Sequence, residues 1–165
     1  MTDLCEALGR ELGLSDEEMT PLVQAAALHD VGKVAIPDAI LDKPGPLDEG
    51  EWEFMRTHTL IGERILAEAP ALAEAAKIVR ASHERHDGTG YPDGLAANEI
   101  PLAARIISVC DSYDAMTSDR PYRTAMSEEL ALSELHNCSG TQFDPKVVNA
   151  FVRALRAFPA AQRRC

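Results

Sequence analysis

Apolar residues recur along this chain at the three-and-four spacing of helices, and the strict alternation of a strand persists nowhere. Leu4, Leu8 and Leu12 repeat every four residues and make one stripe that ends at Gly13. Ser15 with Glu18 is a capping box opening a second helix, which carries Leu22, Ala25, Ala26 and His29. Pro37 and the KPGP stretch, Lys43 to Pro46, break the chain into turns. Asp48 with Glu51 starts a helix predicted to run towards Ala67, with Trp52, Met55, His58, Ile61 and Ile65 on one buried face. Helix signals resume from Ala71 to about Arg85 and stop at DGTGYPDGL, which is too rich in Gly and Pro for regular structure. Pro101 suits the first residue of the next helix, which passes through Ile106, Ile107 and Cys110 to Asp114. Ser127 starts another. Asp144 and Pro145 cap and open the last, with Val147, Val148, Phe151 and Leu155 inward.

Composition changes this picture only at its edges. A chain of 165 residues suits one domain with a real core, and 5% aromatics beside abundant Ala and Leu favour packed helices. No apolar run approaches the roughly 20 residues of a membrane span. The start, MTDLCEALGR, lacks the basic and apolar regions of a secretory signal. Cys5, Cys110, Cys138 and Cys165 stand far apart with no CxxC pair, so a reducing cytoplasm is the expected setting. A formal net charge of −11 argues against broad DNA or RNA binding. A small anionic ligand would then need a local cluster of cations or metals.

Candidate chemistry comes from polar residues on apolar faces. His29 and Asp30 end an Ala-rich helix, His58 shares a face with Met55 and Ile61, His83 follows Val79 by one turn, and Asp111 lies among Val109 and Cys110. Each alone reads as a core histidine with a hydrogen-bond partner or a capping aspartate. Together, three imidazoles and two carboxylates from four segments match the donors of hard-to-borderline divalent metals, with Asp30 able to bridge two ions. Lys33 in HDVGK reads either as a solvated lysine at a helix end or as a free cation that contacts phosphate, with Gly32 permitting the tight helix end. Arg120 and Arg123 just beyond the Asp111 helix suggest phosphate recognition in so acidic a chain, or else ordinary surface ion pairs.

HDVGK, His58, HERHDGTGYP and CDSYDAMTSDRPYR, in that order, resemble the HD-GYP family over about Leu12 to Phe151. The resemblance implies an all-α fold: a compact HD-domain bundle of about six to seven helices with a Gly/Pro-rich loop. It implies a single domain over residues 1–158 and a loose tail over 159–165. The implied activity is metal-dependent hydrolysis of cyclic di-GMP to the linear dinucleotide or GMP. His29, Asp30, His58, His83 and Asp111 would bind two divalent ions, Fe, Mn, Ni or Zn, with Asp30 bridging. Asp30 and Lys33 would be catalytic. Lys33, Tyr91, Arg120 and Arg123 would contact the nucleotide, and Gly90, Tyr91 and Pro92 form the loop signature. A receiver or sensory domain, a diguanylate cyclase or a second copy would be partners of the kind such domains have. Two departures stand out. Ser82 occupies a place where the family usually has a histidine, and the family's usual upstream helix has no counterpart, leaving Glu6 as the nearby candidate ligand. These departures motivate rival readings: a degenerate module that binds nucleotide or a partner without turnover, or a hydrolase of another nucleotide.

Overall fold

A computed structural model describes residues 1–119 and 124–157. The described residues are helical, with no β-strand beyond one isolated Ser139–Phe143 bridge. The helices are α1 (Thr2–Glu11), α2 (Asp16–Leu28), α3 (Asp38–Leu41), α4 (Glu49–Arg56), α5 (His58–Ala67), α6 (Ala73–Arg80), α7 (Leu102–Thr117), α8 (Glu128–Asn137) and α9 (Pro145–Ala157). Short 3-10 turns occupy Val31–Ala35, Pro70–Leu72 and Ala97–Glu99. The all-α class expected from the sequence is the class observed.

Local chemistry sets several helix starts. Ser15 and Glu18 form a reciprocal capping box on α2, and Asp48 and Glu51 do the same on α4. Ser127 accepts from the Leu130 amide to cap α8, and Asp144 Oδ1 accepts from Lys146 N at the start of α9. Each box satisfies amides that a helix N-terminus leaves without intrahelical partners.

The core gathers around α7, whose Ile106, Ile107, Val109, Cys110 and Tyr113 are buried. Helices α1, α2, α6, α8 and α9 all touch it. Leu4 and Leu8 of α1 are buried as their spacing requires, and so are Val147, Val148, Phe151 and Leu155 of α9. Phe151 packs its ring 4.9 Å from that of Tyr113. Helix α5 lies against α6 and against the Val31–Ala35 turn, which brings two candidate ligand segments together.

Three expectations fail in detail. The helix expected from Asp48 to Ala67 breaks at Thr57 into α4 and α5, so the assumed common face does not exist. Trp52 and Ile65 are 46% and 41% exposed, whereas His58, Thr59, Gly62 and Leu66 face inward. The helix expected to reach Arg85 stops at Arg80, and Pro101 lies just outside α7, which extends to Thr117. Ser82 donates its hydroxyl to the Val79 carbonyl at 2.8 Å, capping the end of α6 in place of another turn. Arg120, Arg123 and the tail at 159–165 lie outside the described residues.

Candidate metal centre

Two glycines let the site form. A Cβ on Gly32 would stand 1.9 Å from the His58 carbonyl oxygen and 2.6 Å from the Gly62 amide nitrogen. The backbone of the Val31–Ala35 turn therefore lies directly on the first turns of α5. Gly62 presents a similarly bare surface to Val79 of α6, where a Cβ would meet the valine at 3.0 Å. Asp30 at one end of the turn and His58 at the start of α5 are thereby held facing each other.

The side chains then converge. His29 directs Nδ1 to the Ala26 carbonyl at 3.0 Å, and His58 directs Nδ1 to the Met55 carbonyl at 2.7 Å. A carbonyl can only accept, so in each neutral ring Nδ1 carries the proton and Nε2 keeps its lone pair. His29 Nε2 lies 3.6 Å from Asp30 Oδ2 and 3.7 Å from Asp111 Oδ1. His58 Nε2 lies 3.8 Å from Asp30 Oδ1. Asp30, His58 and His83 each bring one donor atom to within 4.8 Å of the others. All five residues proposed from the sequence thus belong to one neighbourhood, although His83 arrives on the turn after α6 and not on a helix.

Asp30 Oδ1, His58 Nε2 and His83 Nε2 are buried and have no hydrogen-bond partner. Burying a polar atom without a partner costs about 1–3 kcal/mol, so three at one point ask for a ligand that accepts lone pairs. Two imidazole nitrogens and a carboxylate fit a borderline divalent cation. The electrostatics agree with that use. Burial lowers the His58 pKa against the opposing bond to Met55 and the charge of Asp30. Burial and the neighbouring His58 press His83 down to about 4. Both rings stay neutral near pH 7, the form that ligates. Burial opposes the ionisation of Asp30, but the Lys33 hydrogen bond, with the charge of Lys33 and of His29 and His58 when they are protonated, outweighs it and lowers its pKa.

Lys33 is not a free cation: its ammonium donates to Asp30 Oδ2 at 2.6 Å. Gly32 likewise serves the close approach to α5 and not a helix end.

The loop after His83 closes one side of the site. Tyr91 stacks on His83 with centroids 5.3 Å apart and planes 13° from parallel, and stands edge-on to His58 at 6.4 Å. Burial pushes the Tyr91 hydroxyl up to about 12, aided by the charges of Asp30 and Asp111. Gly90 has no space for a side chain, since a Cβ would lie 2.3 Å from the Arg85 amide nitrogen. Glu84, 3% exposed, accepts from the amides of Asp93 at 2.7 Å and Gly94 at 3.1 Å through one oxygen. Arg80 adds a two-pronged contact to Asp93 at 2.7 and 2.8 Å, and reaches Glu63 of α5 at 2.5 Å.

The HD domain family model matches residues 1–147. The chain belongs to the HD-domain family. Within it, the His29–Asp30 pair and Gly90-Tyr91-Pro92 mark the HD-GYP branch that the sequence resembles. This HD-GYP domain is 44% identical over 159 residues to a cyclic di-GMP phosphodiesterase of Thermotoga maritima, covering 95% of this chain and 43% of the relative. It is 42% identical over 158 residues to a 3'3'-cGAMP-specific phosphodiesterase of Vibrio cholerae, covering 96% of this chain and 34% of the relative. An HDGYP protein from Bdellovibrio bacteriovorus shares its fold with a TM-score of 0.74 at 19% identity, over 94% of this chain and 50% of that one. The HD-GYP domain thus spans less than half the length of these curated relatives.

The sequence pattern did not single out Glu84, whose place between a candidate donor histidine and the Gly-rich loop was the available signal. Ser82, 2% exposed, turns its hydroxyl to Val79 and lines a small polar cavity with His29, His83, Ser108 and Asp111. Among the described residues no helix of the domain is long and apolar enough to cross a membrane.

Proposed function

We propose that this domain is a metal-dependent phosphodiesterase that opens cyclic di-GMP to the linear dinucleotide or to GMP. The observation that carries the reading is the meeting of Asp30 Oδ1, His58 Nε2 and His83 Nε2, buried and without partners, in a chain closely related to a cyclic di-GMP phosphodiesterase. We assign His29, Asp30, His58, His83 and Asp111 to two divalent ions, with Asp30 shared; Fe, Mn, Ni and Zn all suit these donors. When bound, such ions supply Lewis-acid charge neutralisation and activation of water.

The protein's own residues do the remainder. The Ala26 and Met55 carbonyls hold His29 and His58 in the tautomer and orientation that present Nε2. Lys33, resting on Asp30, places a positive charge where negative charge develops on the phosphoryl oxygens. Tyr91 covers the outer face of His83 and limits water on that side. Arg120 and Arg123 bind the anionic nucleotide in this reading. A receiver or sensory domain, a diguanylate cyclase and a second copy remain the partners compatible with it, in the cytoplasm.

The test is cleavage of cyclic di-GMP by protein supplied with Mn or Fe(II). Wild type should turn over and Asp30→Ala should not; equal inertness of both removes the proposal. The Vibrio relative favours 3'3'-cGAMP as a second substrate, and competition between the two cyclic dinucleotides ranks them.

A further inference from the structure

Arg56 is the last residue of α4 and lies two positions before His58, across the break at Thr57. His58 points into the core while Arg56 stays on the exposed rim. The guanidinium carbon lies 5.6 Å from the centre of the Tyr91 ring. Since Tyr91 stacks on His83 and stands edge-on to His58, Arg56 is one ring away from two donor histidines. Arg10, Arg80, Arg85, Arg105 and Arg153 each hold a carboxylate. Arg56, like Arg64, shows no ion pair among the described residues, in a chain with 27 acidic residues against 16 Lys and Arg; of the two, Arg56 is the one against the Tyr91 ring. Contact with an aromatic ring holds a guanidinium in place while leaving its N–H fork available to an oxyanion.

We propose that Arg56 is a substrate contact: it takes the phosphodiester that is not cleaved when a cyclic dinucleotide places its other phosphodiester at the donor cluster. The proposal rests on the phosphodiesterase reading of that cluster. A cyclic dinucleotide carries two anionic diesters, and Lys33 is already committed to Asp30 beside the cluster. Beside Arg120 and Arg123, Arg56 offers a further cation, on the rim next to Tyr91 and close to the donor cluster. The bland alternative is a charge that only offsets the C-terminal dipole of α4.

The experiment compares wild type, Arg56→Gln and Arg56→Lys, all loaded with Mn. The substrates are cyclic di-GMP and bis(p-nitrophenyl) phosphate, a diester with one phosphate. Arg56→Gln should raise KM for cyclic di-GMP about tenfold, as loss of a charged hydrogen bond does. The ratio of kcat/KM between the two substrates should fall by the same factor, and Arg56→Lys should recover part of it. An unchanged KM, or an equal loss on both substrates, overturns the proposal and leaves the phosphodiesterase reading standing. If wild type cleaves neither substrate, that reading falls by itself, and calorimetric binding of cyclic di-GMP decides Arg56. Tenfold weaker binding by Arg56→Gln sustains the contact; equal binding, or none by wild type, removes it.

Discussion

Gly32→Ala should dismantle the metal centre without touching a donor atom. The new Cβ would begin 1.9 Å from the His58 carbonyl oxygen and would have to retreat about 1.5 Å to reach the 3.4 Å at which contact becomes ordinary. The obstacles are backbone atoms of His58 and Gly62, which cannot rotate aside as a side chain would. The Val31–Ala35 turn and α5 must therefore separate. Asp30 and His58, now 3.8 Å apart, ride on those two segments. A displacement of this size exceeds the tolerance of metal–ligand distances, about 0.2 Å. Overpacking of this kind costs about 1–3 kcal/mol, a fall of several degrees in Tm for a chain of this size. Calorimetric titration with Mn should show metal affinity reduced at least tenfold, and thermal melting should show the lower Tm. Gly45→Ala is the control, because a Cβ there meets nothing within 4 Å. Wild-type metal affinity in Gly32→Ala would refute the argument that backbone contact between the turn and α5 sets the site.

Three further outcomes follow from the same geometry. Glu84→Gln keeps an acceptor for the Asp93 and Gly94 amides and should leave the loop protected, whereas Glu84→Leu removes the acceptor that ties both to the buried side chain and should expose the loop to limited proteolysis. The chelator-treated protein should lose stability in mild acid: His83 titrates near 4 when folded against an ordinary 6.5, so the unfolded chain takes up the proton first. That contribution is complete above about pH 6.5 and declines towards pH 4, by roughly 3 kcal/mol in all, and urea midpoints across this range measure it. Saturating Mn should raise Tm, by about 2.7 kcal/mol of linkage at a hundredfold excess over Kd, and Asp30→Asn should abolish the rise in differential scanning fluorimetry.

Much of this was legible in the sequence because it is local. The Ser15–Glu18 and Asp48–Glu51 boxes need only neighbouring residues, so their helices begin where the pattern places them. The five candidate donors stood out as polar residues on apolar faces, reinforced by the family resemblance, and the structure brings Asp30, His58 and His83 together. What escaped depends on contacts made far along the chain. The spacing of Trp52, Met55, His58 and Ile65 describes one helix; the observed break at Thr57 turns His58 inward and leaves Trp52 in solvent. Gly32 looks like a helix terminator until α5 is laid against it. Glu84 looks like a surface charge until the loop folds back and its amides find the carboxylate. Lys33 looks free until Asp30 is placed beside it.

The residues proposed as donors come from the end of α2, the start of α5, the turn after α6 and the middle of α7. No contiguous piece shorter than His29 to Asp111 contains them all. A nascent chain cannot assemble the full cage until its central helix has emerged and docked, and a proteolytic fragment cut within this span cannot assemble it at all. In the proposed reading, full metal occupancy reports on completed folding, and loading the ion doubles as an inspection of the finished domain.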